Sequence, residues 1–163
     1  MVEKHVDADP ELCTACRVCE FACALEKDGV FNPLRSRIRA VRIYPHSDLA
    51  IACRICEDAP CVIACPRKAL TQSTETGLII IDDDKCDGCA WCVEACDFGA
   101  ITIHPETRKA IVCDLCGDRE GGPACIEICP TEALSLVTRE TVATKSRIKA
   151  AGKLFAAAER SKS

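Results

Sequence analysis

The sequence predicts an α+β chain, with short β-hairpins and short helices threaded between four cysteine-rich loops and a longer helix at the C-terminus. Three observations carry this. All sixteen cysteines of the 163 residues fall into four groups of four. Between the groups, β-branched residues alternate on either side of polar, Pro- or Gly-containing turns. The last 26 residues are alanine-rich and basic, with one Gly and no Pro.

The groups are Cys13-Cys16-Cys19-Cys23, Cys53-Cys56-Cys61-Cys65, Cys86-Cys89-Cys92-Cys96 and Cys113-Cys116-Cys125-Cys129. The first and third read C-x2-C-x2-C-x3-C, the ligand run of bacterial [4Fe–4S] ferredoxins. The other two keep the opening C-x2-C and the closing C-x3-C but lengthen the middle gap. A cubane needs four thiolates at tetrahedral corners. One tight loop supplies three, with intervening N–H groups free to meet the cluster sulfurs, and the fourth cysteine leaves that loop. Four such sets and no leftover cysteine imply four clusters. Zinc is the competing metal, but its structural sites bring two separate knuckles rather than three closely spaced ligands. Disulfides are the other alternative, and they belong to exported chains in oxidising compartments.

The elements follow in order. Residues 1–13 hold neither the apolar stretch of a signal peptide nor a twin arginine, and the expected location is cytoplasmic. An insertion, Asp28 to Ala52, separates the first two groups. Within it Arg35-Ser36-Arg37-Ile38-Arg39 alternates like a strand. It reads as a solvated edge strand guarded by arginines or as a positive face toward clusters or an acidic partner. After Cys65-Pro66, Ala69–Gln72 and Leu78–Ile81 flank a polar turn. After Cys96, Ile101–His104 and Lys109–Val112 flank Pro105-Glu106-Thr107-Arg108. After Cys129-Pro130 comes Thr131–Leu136. Cysteine loop followed by short strand is an internal repeat, and a proline after the last cysteine suits a chain that turns away or starts a helix. Thr138 to Ser163 suits a helix, with Ile148, Ala151, Leu154, Phe155 and Ala158 near one face among Lys145, Arg147, Lys149 and Lys153. That helix is expected to cap the core, to dock on another subunit or copy, or to stay disordered.

Composition narrows the function. Four Phe, one Trp and one Tyr are few for a core of this length, so the clusters themselves are expected to fill it and the apo chain to be largely unfolded. The formal charge of −4 becomes about −12 once sixteen thiolates and four dicationic cores are counted. Residues 1–137 carry −9 and residues 138–163 carry +5. An acidic body argues against nucleic acid as a partner, and no apolar run is long enough for membrane insertion. His5, His46 and His104 match no ligand spacing, and His104 is expected at the surface of its hairpin turn. Trp91, inside the third cysteine loop, is expected to shield a cluster from water, with electron relay the alternative. No dinucleotide loop, phosphate loop or hydrolase triad is present, so the chain reads as non-catalytic. Cofactors spaced across a globule about 40 Å wide make an electron relay.

These motifs resemble the four-cluster polyferredoxin subunits of molybdenum and tungsten oxidoreductases, and of some hydrogenases and carbon monoxide dehydrogenases. The resemblance rests on Cys86-Asp87-Gly88-Cys89-Ala90-Trp91-Cys92, Phe98-Gly99-Ala100-Ile101, Cys113-Asp114-Leu115-Cys116 and Pro123-Ala124-Cys125 through Cys129-Pro130-Thr131. The short gap between Cys116 and Cys125 is most similar to the small polyferredoxin subunits of tungsten aldehyde oxidoreductases. The resemblance implies two interleaved bacterial-ferredoxin-like modules in residues 1–137, an outer one of about 1–30 with 105–137 and an inner one of about 45–104. Residues 138–163 form the helical tail. It also implies the wiring: Cys13, Cys16, Cys19 and Cys129 on one cluster; Cys53, Cys56, Cys61 and Cys96 on a second; Cys86, Cys89, Cys92 and Cys65 on a third; Cys113, Cys116, Cys125 and Cys23 on a fourth. Ala24 and Asp97 depart from the proline often found after the last cysteine, and the Asp97 carboxylate is expected to lower a nearby potential. The implied function is an electron-transfer subunit of an oxygen-sensitive, anaerobic enzyme, partnered by a catalytic subunit and able to self-associate into a filament. A free polyferredoxin shuttle is the alternative.

Overall fold

The architecture comes from a computed structural model, which describes residues 4–43 and 47–160, with side chains to residue 155. His46 lies outside the described residues. The strands form four two-stranded antiparallel sheets. β1 (Lys4–Ala8) pairs with β8 (Leu134–Thr138), β2 (Arg39–Ile43) with β3 (Ser47–Ile51), β4 (Leu70–Gln72) with β5 (Ile79–Ile81), and β6 (Thr102–Ile103) with β7 (Ala110–Ile111). Helix α1 (Val18–Asp28) packs on α4 (Ala124–Glu127), and α2 (Pro60–Ile63) packs on α3 (Trp91–Glu94). The architecture is α+β, with α5 (Arg139–Arg160) as its C-terminal helix.

Alternating apolar residues and a turn are enough to close β4–β5 and β6–β7, and both hairpins fall where the sequence puts them. The β1–β8 ladder is different. It runs from Lys4 opposite Thr138 to Ala8 opposite Leu134, joining segments some 130 residues apart, and it buries Val6, Ala8, Leu134 and Val137. Helix α1 stops at Gly29, whose φ of +68° lets its N–H return to the Leu25 carbonyl.

The arginine stretch departs from expectation. Pro33–Arg35 is a 3-10 turn, and the strand starts only at Arg39. The arginines turn inward: Arg35 pairs with Glu106, Arg37 reaches Asp28 at 3.3 Å, and Arg39 donates to the carbonyls of Pro33 and Leu34. The alternation therefore reflects internal ion pairing, and the segment is neither a guarded edge nor an open positive face. The prolines after Cys65 and Cys129 start turns rather than helices. Three residues beyond each cysteine, Lys68 (φ 50°) and Glu132 (φ 52°) adopt left-handed backbone, which a helix excludes.

The core is built from small aliphatic residues and the cysteines themselves. Its largest fully buried side chains are Ile38, Ile55, Glu20 and Ser36, while all four Phe and Trp91 are exposed.

Candidate iron–sulfur sites

All sixteen cysteines are free thiols. Three quartets line cavities. Cys53, Cys56, Cys61 and Cys96 face a space of about 420 Å³, counted with its open mouth. Cys13, Cys16, Cys19 and Cys129 face one of about 320 Å³, and Cys65, Cys86, Cys89 and Cys92 one of about 270 Å³. The remaining four are grouped electrostatically, since the charge of Cys23 acts on Cys113, Cys116 and Cys125 alike. In each quartet three cysteines come from one loop and the fourth from another group. Among the described residues no three Cys, His, Asp or Glu side chains converge tightly enough for a single ion. Rings of thiols around a void suit a cluster with its own volume.

The loops share a backbone device. The residue just before the second cysteine is left-handed in every group: Ala15 (φ 48°), Ile55 (φ 50°), Gly88 (φ 72°) and Leu115 (φ 58°). For a buried, β-branched Ile55 this is a strained conformation, of the sort that persists at functional sites. Left-handed residues among ordinary ones form concave arrays of N–H groups, which recur at phosphate and Fe–S sites. Of the four positions, only Gly88 signals this in its residue type. There an added Cβ would collide with the Arg108 carbonyl oxygen.

A second device serves the fourth cysteine of the second, third and fourth groups. The left-handed residue three places on (Lys68, Gly99 or Glu132) folds the chain back. The next N–H then meets the sulfur, Ala69 to Cys65 Sγ at 3.3 Å and Ala100 to Cys96 Sγ at 3.4 Å. Cys129 receives N–H groups from Thr131, Leu134 and Ala133. Burial pushes its thiol up, but these donors and the Thr131 hydroxyl outweigh that and hold it below the usual cysteine range. At four others burial wins, pushing Cys19 and Cys113 up to about 12 and Cys61 and Cys92 to about 11. Neighbouring thiols push in the same direction. Such sites hold protons until a cationic core replaces them.

The quartets also neighbour one another. Cys125 senses Cys19, Cys113 senses Cys53, and Cys92 senses Cys61. These links join the four quartets in sequence, from the Cys13 loop through the Cys113 and Cys53 loops to the Cys86 loop. Only Cys16 and Cys89 are exposed among the cysteines, and they sit in the first and last of these loops.

Two expectations for side chains are corrected. Trp91, the first residue of α3, is 63% exposed and takes no part in lining the cavity of the Cys86 loop, so it does not screen that site from water. His104 is 7% exposed rather than on the surface. Its Nδ1 accepts N–H groups from Glu106 and Thr107, and its Nε2 faces Asp28. On helix α5, Ile148, Leu154 and Phe155 are exposed, while Val142, Ala143 and Ala151 are half-buried. The helix is held by packing on β8, by Arg139 on Glu57 and the Ile55 carbonyl, and by Lys149 on Glu11. Sequence reading also missed Arg54, which bonds Asp7 at 2.5 Å, contacts His5 at 3.1 Å and lies 5.9 Å over the Phe98 ring.

Comparison with known proteins gives the family of the chain. Residues 47–139 match the model of the 4Fe-4S dicluster domain family. The chain belongs to that family. As a 4Fe-4S dicluster protein it is 39% identical over 132 residues to the polyferredoxin-like subunit of aliphatic sulfonate oxidoreductase from Pyrococcus furiosus, across 79% of this chain and 75% of that one. It is 41% identical over 150 residues to the putative electron transport protein YsaA of Escherichia coli K12, across 86% and 94% of the two chains. The fold is similar to that in the active-site complex BamBC of benzoyl coenzyme A reductase, with TM-score 0.53 at 23% identity over 85% of this chain and 79% of that chain. The dicluster protein is thus a [4Fe–4S] electron-transfer protein of the oxidoreductase-subunit class. No helix among its described residues is long and apolar enough to cross a membrane.

Proposed function

We propose that the chain holds four [4Fe–4S] clusters and relays electrons, without catalysis of its own, between a catalytic oxidoreductase subunit and a second redox partner. One observation carries this reading, namely the series of neighbouring quartets whose only exposed cysteines, Cys16 and Cys89, lie in its first and last members. The ligand sets are Cys13, Cys16, Cys19 and Cys129; Cys113, Cys116, Cys125 and Cys23; Cys53, Cys56, Cys61 and Cys96; and Cys86, Cys89, Cys92 and Cys65, in that order along the series. The first two sets make an outer module and the last two an inner one. Each cluster, when bound, takes up and releases one electron. The thiolates hold the positions, the left-handed loops aim N–H groups at the sulfurs, and the aliphatic core keeps water from the middle of the series.

The partner that fits best is a molybdenum or tungsten enzyme such as an aldehyde oxidoreductase, supported by the sequence resemblance and by the polyferredoxin-like relative. Exposed Ile148, Leu154 and Phe155 on a basic helix favour α5 as a docking arm for that subunit or for another copy, whose repetition would give a filament. A hydrogenase or carbon monoxide dehydrogenase subunit, or a free shuttle, are the alternatives. Anaerobically purified protein is expected to contain about 16 iron and 16 acid-labile sulfide per chain, by ligand count. Zinc in place of iron overturns the reading. Cys129→Ala is expected to alter the electron paramagnetic resonance signal of the cluster held by the Cys13 loop. A change confined to a cluster of the second or third group overturns the wiring. A monomer that never co-purifies with a catalytic subunit favours the shuttle.

A further inference from the structure

Three of the four closing cysteines receive their backbone donor from the turn that follows them. Cys23 cannot. It lies inside α1, which continues to Asp28, so the left-handed residue that folds the chain back in the other groups is absent there. A donor nonetheless arrives. The N–H of Arg37, fourteen residues on, points at Cys23 Sγ at 3.3 Å. The insertion between the first two groups thus delivers what the repeat omits.

The way that donor is held is equally specific. The Arg37 guanidinium reaches back to Asp28 Oδ1 at 3.3 and 3.4 Å. Asp28 is the last residue of α1, where a carboxylate is disfavoured by the helix dipole. It is also largely buried, and its second oxygen, Oδ2, has no hydrogen-bond partner. Facing that oxygen at 3.4 Å is Nε2 of His104, from the hairpin of the third group. Because Nδ1 of His104 accepts two backbone N–H groups, the ring proton sits on Nε2, the nitrogen nearest Asp28, without making a hydrogen bond to it. Next to Arg37, Ser36 is fully buried and bonds both the N–H and the carbonyl of Ile38. A buried acid at an unfavourable helix end, facing one guanidinium and one imidazole, has no evident structural need. It makes sense as an anchor.

We infer that segment 36–38 is a substitute exit turn for Cys23, and that Asp28, Arg37 and His104 are the positioning residues that hold its N–H on the sulfur and so set the reduction potential of the centre Cys23 serves. The inference rests on the proposed four-cluster wiring. An N–H bond to a ligand sulfur favours the more negative, reduced cluster and raises its potential. Weakening the anchor therefore lowers it.

The test uses intact, iron-loaded protein, with potentials of the four centres read by electron paramagnetic resonance titration and the centre assigned through Cys23→Ser. Two variants separate anchoring from plain charge. Arg37→Gln removes a nearby cation and the grip on Asp28, so it lowers the potential under either account. Asp28→Asn distinguishes them. As a mere nearby charge, Asp28 lowers the potential, and removing it would raise it. As an anchor, its loss lets the Arg37 N–H drift and the potential falls. The expected result is a downward shift in both variants of about tenfold in the reduction equilibrium, or about 59 mV for one electron. Faster hydrogen exchange of the Arg37 amide should accompany it, with the other three centres unmoved. The double variant should shift no further than the larger single one, as expected of residues acting through one contact. An upward or absent shift in Asp28→Asn, or equal shifts in all four centres, overturns the positioning role while leaving the wiring intact. A wild-type protein with no centre sensitive to Cys23 overturns both. If Asp28→Asn fails to load iron, Arg37→Lys, which keeps the charge but not the planar fork, carries the same test. A lowered potential is expected, and an unchanged one overturns the role.

Discussion

His5 is 5% exposed, and burial, reinforced by the Arg54 and Arg139 guanidiniums, pushes its imidazole below the ordinary 6.5, with Asp7 opposing. The folded chain therefore resists the proton that the unfolded chain accepts normally. Stability falls as pH drops from about 6.5 toward the lower folded value, since the unfolded state there binds more protons. Thermal melts between pH 7.5 and 5.5 should show the wild type losing stability and His5→Gln losing less; parallel curves would remove His5 as the cause. Glycine substitutions make a second residue-scale contrast. Gly88 and Gly99 both have positive φ, but only at Gly88 would a methyl group collide with backbone, at the Arg108 carbonyl. Gly99→Ala should cost about 1 kcal/mol of backbone strain and keep its iron. Gly88→Ala should lose about a quarter of the iron, by ligand count, because the Cys86 loop cannot close. Equal iron in the two variants would refute that account of the loop.

Helix α5 behaves as an appendage. Its first residue, Arg139, bonds the Ile55 carbonyl inside the second cysteine loop, whereas Ile148, Leu154 and Phe155 touch no core. Deleting residues 140–163 should accordingly leave iron content unchanged while abolishing association with a partner or another copy, read by native mass and light scattering. Assemblies that survive the deletion would exclude α5 as the connector. The helix itself was legible from alanine content and three- and four-residue spacing, as were β4–β5 and β6–β7 from local alternation. What escaped the sequence is non-local. The pairing of β1 with β8 depends on a partner at the far end of the chain. The inward turn of Arg35, Arg37 and Arg39 depends on Glu106, Asp28 and two carbonyls. The burial of His104 depends on Asp28, 76 positions earlier. In the sites, the cysteine types and spacings were readable, because metal chemistry restricts them directly. The left-handed residues before each second cysteine were not, because Ala15, Ile55 and Leu115 are residue types that do not favour that backbone and carry their strain unannounced.

At the scale of the whole molecule, the cysteines are both wire and core. Eight of them belong to the continuous buried cluster, together with small aliphatic residues and no aromatic ring. Burial of Val, Leu and Ile contributes about 1.5–3 kcal/mol each, and few of those are fully buried here. Four two-stranded sheets add little, since an isolated pair of strands is marginal in water. Emptied of iron, the fold would hold Cys19, Cys53, Cys61, Cys92, Cys113 and Cys125 as protonated thiols, each raised chiefly by burial, the first four of them around open cavities. Cluster ligation therefore supplies the covalent cross-links that such a core lacks, and cluster binding free energy becomes folding free energy. Anaerobic chelation should remove the iron and the folded state together. Circular dichroism would lose the strand and short-helix signal in step with the visible absorption, α5 at most retaining part of its own helicity. An iron-free chain that keeps a cooperative thermal transition near that of the loaded protein would show that the aliphatic residues suffice, and that the clusters are passengers in a scaffold able to stand without them.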